Sequence, residues 1–277
     1  MKSPLITAHE LLGRIDDPDL VVVDCRWYLT EPERGRSEYL AGHIPGAVYA
    51  SLDTDLAGMD GPGRHPLPTP EEFAATCRRF GIDGSSTVVV YDDAGGGIAA
   101  RLWWMLENQG HRRVAVLDGG IQVWIAAGGV LSTDVPELRD GDFTPRRWTA
   151  VVERNDVRNR PEHRIVIDAR ARERYRGDEE PVDPVAGHIP GALSMPLTEN
   201  LNDDLTFLTP EELATRFSSV GIDSAAEVIS HCGSGVTACH NILAMAAAGI
   251  GSGDLYVGSW SDWSTSGLPV ATGDDPG

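Results

Sequence analysis

The 277-residue sequence predicts an α/β protein made of two tandem copies of one domain, each a mostly parallel central sheet flanked by helices. Three observations carry that expectation. The hexapeptide GHIPGA occurs twice, beginning at Gly42 and at Gly187. Further landmarks recur around it in unbroken order: VVVDCRW from Val21 answers IVIDAR from Ile165, TPEEF from Thr69 answers TPEEL from Thr209, FGID from Phe80 answers VGID from Val220, and LDGGIQVW from Leu117 answers YVGSWSDW from Tyr256. Within each copy, short apolar runs rich in β-branched residues alternate with helical patterns.

Taken in order, the apolar runs place strands at 20–23, 48–50, 87–91 and 114–117, and their counterparts at 165–167, 193–195, 227–231 and 255–257. Helix starts are marked by capping boxes at Thr7-Ala8-His9-Glu10, Thr69-Pro70-Glu71-Glu72 and Thr209-Pro210-Glu211-Glu212, the last two with proline at the first helical position. GHIPGA suits sharp turns at sheet ends, so His43 and His188 are expected to be structural. Asp24 with Arg26, and Asp168 with Arg170, read as paired charges that stabilise the fold. The copies are expected to span residues 1–135 and 150–277, with residues 136–149, which hold Pro136, Asp140, Asp142 and Pro145, as the linker.

Composition narrows the function classes. Asp and Glu outnumber Lys and Arg by 42 to 23, a formal charge of −19, so nucleic acid and anionic membrane surfaces are not expected partners. A hydrophobic fraction of 41% and seven tryptophans suffice for packed cores. The first thirteen residues have no apolar stretch of the secretory kind, and the nearly apolar run 242–250 is too short to span a bilayer. The four cysteines, Cys25, Cys77, Cys232 and Cys239, have neither disulfide-framework nor zinc-like spacing. A reducing cytoplasm is the expected location, and no metal or cofactor is implied.

The chemistry centres on VISHCGSGVTAC, from Val228 to Cys239. Its first half reads as a buried strand ending at Cys232, Gly-Ser-Gly forms a tight turn, and a helical pattern begins at Thr237. Loop N–H groups and a helix N-terminus would converge on the sulfur and favour its anion. A free cysteine is often only a packing residue, but this strand, glycine loop and helix read as a nucleophile's cradle. Cysteine phosphatases share the form H-C-x5-R, which His231-Cys232 begins, yet the arginine position holds Ala238 and a phosphate would lack its bidentate partner. In the first copy, Asp92 stands opposite Cys232. A carboxylate cannot carry sulfur, so that copy is expected to be inactive. Gly95, Gly96 and Gly97 keep the vestige of a loop, with no phosphate-binding lysine after them.

The loop Cys232, Gly233, Ser234, Gly235, Val236, Thr237 resembles that of the rhodanese family of sulfurtransferases, and CGSGVTA is the form typical of its 3-mercaptopyruvate sulfurtransferase branch. The resemblance covers nearly the whole chain. It implies two rhodanese-like domains, the first inactive, and ping-pong transfer in which Cys232 takes the outer sulfur of a donor as a persulfide and passes it to cyanide or to a thiol, small or on a thioredoxin-like protein. It also implies that Ser234 works with a histidine and an aspartate from the first domain; SLDTDLAGMDGPGRHPLP places Asp55 and His65 at the matching positions. By itself His65 is equally a loop histidine between Arg64 and Pro66. The branch uses two arginines for the donor's carboxylate. The first matches Arg176, and the second has no counterpart in EEPVDPVAG, leaving Arg172 and Arg174 as nearby alternatives. The loop carries no cation, which favours mercaptopyruvate over doubly charged thiosulfate. A thiosulfate:cyanide sulfurtransferase and a non-catalytic sulfur carrier are the competing readings. Cys239, about two helical turns along, is expected only to pack.

Overall fold

The computed structural model describes residues 3–277. The chain divides into two units. The first takes in the chain as far as Gly58, Pro68–Thr149 and Asp203–Phe207, and the second takes Met59–Leu67, Ala150–Asn202 and Leu208–Gly277.

In the first unit the elements run β1 (Leu5–Ile6), α1 (Ala8–Leu12), β2 (Leu20–Asp24), α2 (Arg34–Ala41), β3 (Val48–Tyr49), α3 (Leu52–Asp55), α4 (Pro70–Arg79), β4 (Thr87–Tyr91), α5 (Ala99–Asn108), β5 (Val114–Leu117) and α6 (Gly120–Ala126). In the second they run β6 (Val151–Val152), α7 (Arg154–Arg158), β7 (Ile165–Asp168), α8 (Arg172–Arg176), β8 (Ala192–Ser194), α9 (Pro210–Ser218), β9 (Val228–His231), α10 (Ala238–Ala247), β10 (Asp254–Tyr256) and α11 (Ser259–Trp263). Both sheets are five-stranded and parallel throughout, in the orders β1-β5-β4-β2-β3 and β6-β10-β9-β7-β8. The expected α/β architecture, a parallel sheet flanked by helices in each of two copies, is present.

A parallel sheet covered on both faces has strands that read as unbroken apolar runs, and the central strands β4 and β9 are buried at every position. The cores on one face include Val89, Tyr91, Ala115 and Trp124 in the first unit, and Ile229, Tyr256, Trp260 and Trp263 in the second. Fully burying a side chain of the Val, Leu or Phe class contributes about 1.5–3 kcal/mol, so the central strands anchor each sheet. All three capping boxes form, with Thr7, Thr69 and Thr209 each accepting from the glutamate N–H three residues on. Each such cap is worth about 1 kcal/mol.

The expected strands shift by a residue or so at their ends. Glu227 ends a single 3₁₀ turn, Ala225–Glu227, and β9 starts after it. Two edge strands, β1 and β6, are additional to the sequence reading; at two residues each they carry no periodicity to read. Residues 136–149 are irregular but packed: Phe143 is buried, and the Trp148 ring lies 5.5 Å from Phe73 and 6.1 Å from Trp104. The GHIPGA histidines are structural. His43 Nδ1 lies 2.7 Å from Tyr39 O, His188 Nδ1 lies 2.8 Å from Tyr175 O, and both rings stack on those tyrosines.

Candidate active site

Cys232 follows the last residue of β9, at the carboxyl end of a central strand, where open α/β sheets bind ligands. Thr237 precedes α10, so the six-residue loop runs from strand to helix as its sequence requires. Gly235 has φ of 75°, and a side chain there would put its Cβ 2.5 Å from Val257 O. Only glycine meets both conditions. The loop is fixed from outside by the start of α11: Trp260 N–H donates to Cys232 O (2.9 Å) and Ser261 N–H to Gly233 O (2.9 Å). Cys232 N–H donates to Ser259 Oγ at 3.2 Å, and that hydroxyl donates to Tyr256 O at 2.8 Å.

Ser259 escaped the sequence reading although a signal was present. It stands opposite Gly120 in the repeat, and both have left-handed φ, 52° and 64°. A serine at a position where its duplicate needs glycine implies a side-chain task, here the bond to Cys232.

The cradle has two versions. In the first unit, Asp92 follows β4 as Cys232 follows β9, and its carboxylate accepts four backbone N–H groups, from Ala94 (2.9 Å), Gly96, Ile98 and Ala99 (2.8 Å each). In the second unit the N–H groups of Ser234 and Val236, the equivalents of Ala94 and Gly96, have no acceptor among the described residues. In the first unit the loop's donors converge on the Asp92 carboxylate, whereas Cys239 N–H, the counterpart of Ala99 N–H, donates to Val236 O at 3.1 Å.

His65 belongs with the second unit, on Met59–Leu67, and its Nδ1 lies 2.8 Å from Ser234 Oγ in a buried contact. Asp55 belongs with the first unit. Its Oδ2 accepts Ser51 N–H at 2.8 Å and its Oδ1 accepts Arg79 Nη2 at 2.6 Å, so both oxygens serve to hold α3 and α4. Its partly buried site raises its pKa, chiefly by desolvation, against the Ser51 and Arg79 contacts.

Arg176 differs from expectation. It ends α8 with its guanidinium on Asp274 (3.0 Å) and Asp178 (2.8 Å) and a side chain 42% exposed. Residues two apart on a helix do not share a face, and it is Arg174 that faces the loop. A Cβ at Gly233 would lie 3.4 Å from Arg174 Nη1 and 3.0 Å from Nη2 of a residue the sequence reading passed over, Arg64. Arg172 pairs with Glu199 at 2.6 Å.

Behind the loop, Asp168 and Arg170 pair at 2.6 Å, both buried, as Asp24 and Arg26 do in the first unit. Burial alone would raise the Asp168 carboxyl, but Arg170 and His231 outweigh it and hold it at about 2. Arg170 lies over the Trp260 ring at 4.6 Å. Burial pushes the His231 imidazole down. All four cysteines are free and buried, and Cys239 Sγ contacts Gly235 O at 3.5 Å, the packing role expected of it. Burial also raises the Cys25 and Cys77 thiols, whose thiolates are thereby disfavoured. No group of three or more His, Cys, Asp or Glu among the described residues could hold a metal ion. No helix among them is long and apolar enough to cross a membrane.

The model of the rhodanese-like domain matches twice, over residues 7–127 and 153–266. The chain belongs to the rhodanese family. A Pseudomonas aeruginosa protein named "Probable 3-mercaptopyruvate sulfurtransferase" is 44% identical, over 98% of this chain and 99% of that one. The "Thiosulfate/3-mercaptopyruvate sulfurtransferase 1, mitochondrial" of Arabidopsis thaliana is 34% identical over 95% and 76%. Among solved structures, SseA from Escherichia coli, a 3-mercaptopyruvate sulfotransferase with the rhodanese fold, superposes with a TM-score of 0.82 at 34% identity, over 94% of this chain and 99% of that chain.

Proposed function

We propose that this rhodanese is a sulfurtransferase that moves the sulfur of 3-mercaptopyruvate, through a persulfide on Cys232, to a thiol or to cyanide. The observation that carries the reading is Cys232 at the start of the loop in a strand–loop–helix whose counterpart in the first unit gathers four backbone N–H groups on the carboxylate of Asp92. Negative charge on sulfur is what such a loop stabilises, in the attacking thiolate and again in the persulfide.

In the first half-reaction the Cys232 thiolate attacks the donor sulfur. The donor's carbon–sulfur bond breaks, its electron pair goes to the methylene carbon as an enolate, and the sulfur stays on Cys232. The proton that leaves the donor thiol ends on that carbon, giving pyruvate. Ser234 Oγ and His65 Nδ1, 2.8 Å apart, can relay it. Arg174 takes the donor's carboxylate, the part assigned to Arg176 on sequence alone. Gly233, Gly235, Val236 and Thr237 supply the loop's backbone to the bound sulfur. In the second half-reaction an acceptor thiolate attacks the outer sulfur and leaves as its own persulfide, or cyanide leaves as thiocyanate, and the Cys232 thiolate returns. A thiol on a small molecule or on a thioredoxin-like protein fits this step equally. Asp55 is proposed as the aspartate of the same set, its carboxylate oriented by Ser51 N–H and Arg79 and keeping acceptor capacity beyond them. The reducing conditions of a cytoplasm suit four unbridged thiols.

The test is to treat the protein with 3-mercaptopyruvate, locate the added sulfur by mass spectrometry, and follow turnover with cyanide. One cyanide-removable sulfur on the Cys232 peptide is expected, and none in Cys232→Ser. Sulfur mainly on Cys25, Cys77 or Cys239 would sink the assignment. A tenfold better kcat/KM with thiosulfate would move the donor to the thiosulfate reading, and loading without turnover would make the chain a carrier.

A further inference from the structure

Arg64 and His65 are neighbours on Met59–Leu67, and the two side chains approach different parts of the cysteine loop. His65 meets Ser234, and Arg64 meets Gly233. The segment is held closely. Gly63, with φ of 77°, packs so tightly that a Cβ would fall 2.5 Å from Gly258 O, and Arg64 N–H donates to Ser261 Oγ at 3.1 Å. Its guanidinium is then gripped from one side only, because Nη1 pairs with Asp183, a carboxylate 4% exposed. The other oxygen of Asp183 accepts Arg174 Nη2 at 3.2 Å, and that same nitrogen reaches Glu180 Oε1 at 2.7 Å. Glu180 is itself fixed by the N–H groups of Val182 and Asp183. The acids thus hold one end of each guanidinium. Nη2 of Arg64 and Nη1 of Arg174 have no acceptor among the described residues, and these two ends face Gly233.

We propose that Arg64 is a specificity-determining residue of the donor site: its Nη2 and Arg174 Nη1 each take one oxygen of the donor's carboxylate, and Asp183 aligns the pair. The proposal rests on the carboxylate-bearing donor argued above. Gly233 fits this arrangement, since any side chain there would enter the space beneath both guanidiniums. Asp183 and Glu180 balance the two charges, so the pair offers oriented N–H donors from outside the cysteine loop rather than net positive charge. Two guanidiniums from different segments fix a planar carboxylate in one orientation, which a single flexible cation does not. The donor's sulfur, two carbons away from that carboxylate, is thereby presented to the neighbouring Cys232.

The experiment compares alkylation of Cys232 by iodoacetate and by iodoacetamide in the full-length protein, read by mass spectrometry on the Cys232 peptide. The reagents share size and leaving group and differ in the carboxylate. Arg64→Gln is expected to lower the iodoacetate-to-iodoacetamide rate ratio about tenfold, the scale of one lost charge-assisted hydrogen bond, with the iodoacetamide rate within about twofold of the parent's. Arg64→Lys should fall between. With 3-mercaptopyruvate, Arg64→Gln should raise KM about tenfold and change kcat less than about threefold. An unchanged ratio in Arg64→Gln overturns the proposal, as does an equal fall in both rates, which would make Arg64 only a tether for its segment. A ratio that falls in Arg174→Gln but not in Arg64→Gln removes Arg64 and leaves the donor reading standing. A ratio that falls in Arg64→Gln, in a protein that takes no sulfur from mercaptopyruvate, keeps Arg64 as a carboxylate ligand and overturns the donor.

Discussion

Asp168 illustrates how one buried charge supports a loop it does not belong to. Its carboxylate accepts both the Nε–H and Nη2–H of Arg170, whose guanidinium lies over Trp260, and Trp260 N–H holds Cys232 O. The folded-state pKa of Asp168, about 2, lies below the ordinary 3.8. A lowered carboxylate contributes stability in full above its unfolded value, and that contribution is lost as pH falls through the folded value. The shift corresponds to about 2 kcal/mol, present at pH 5 and above and disappearing between pH 4 and 2. Urea unfolding of the parent and of Asp168→Asn should therefore show the parent more stable at pH 6, with the gap shrinking by about that amount as pH falls toward 2. A gap independent of pH would place the Asp168 contribution elsewhere than in its charge.

At the scale of elements, the two strand–loop–helix cradles are one device with two fillings. Asp92 takes four N–H donors inside the first unit, so its removal leaves several buried donors without an acceptor. Each such donor costs about 1–3 kcal/mol, and Asp92→Ala should destabilise the first unit by roughly 3 kcal/mol or more, lowering Tm in calorimetry. Asp92→Asn keeps the acceptor oxygen but introduces donors into a cradle that already has only donors, so it should recover a small part of the loss. Wild-type stability in Asp92→Ala would mean that water or a solvent anion fills the cradle at no net cost. Much of this was legible in the sequence. The β-branched runs Thr87–Val90 and Val228–Ile229 marked β4 and β9 as buried, the glycines of CGSG required a tight turn, and the Cys232–Asp92 correspondence followed from the repeat. What the sequence did not disclose was orientation. Arg174 and Arg176 are two residues apart, and only the pitch of α8 decides which one meets Gly233. The two-residue strands β1 and β6 are fixed by their neighbours in the sheet rather than by any pattern of their own.

At the scale of the whole molecule, the linear repeat and the grouping of contacts do not coincide. GHIPGA and its companions read as two successive copies, whereas Met59–Leu67, drawn from the first copy, packs with the second unit, and Asp203–Phe207, drawn from the second, packs with the first. His65 could be singled out only through resemblance, because a histidine between Arg64 and Pro66 has no periodicity that reports a distant serine. On the proposed function, the site around Cys232 therefore draws on Met59–Leu67 as well as on residues 150–277. Replacing residues 59–66 by a Gly/Ser linker of equal length removes Arg64 and His65 and leaves every strand of both sheets in place. Turnover of 3-mercaptopyruvate should fall on the order of a hundredfold or more, the scale of a lost proton relay, while Cys232 still reacts with iodoacetamide. Restoring Gly63, Arg64 and His65 together within that linker should recover more activity than restoring His65 alone. Gly63 sets the approach to Gly258, and the Arg64 guanidinium ties the segment to Asp183, so the histidine should need both neighbours to reach Ser234. Turnover within tenfold of the parent in the linker variant would show that the segment is dispensable and that Ser234 acts without His65.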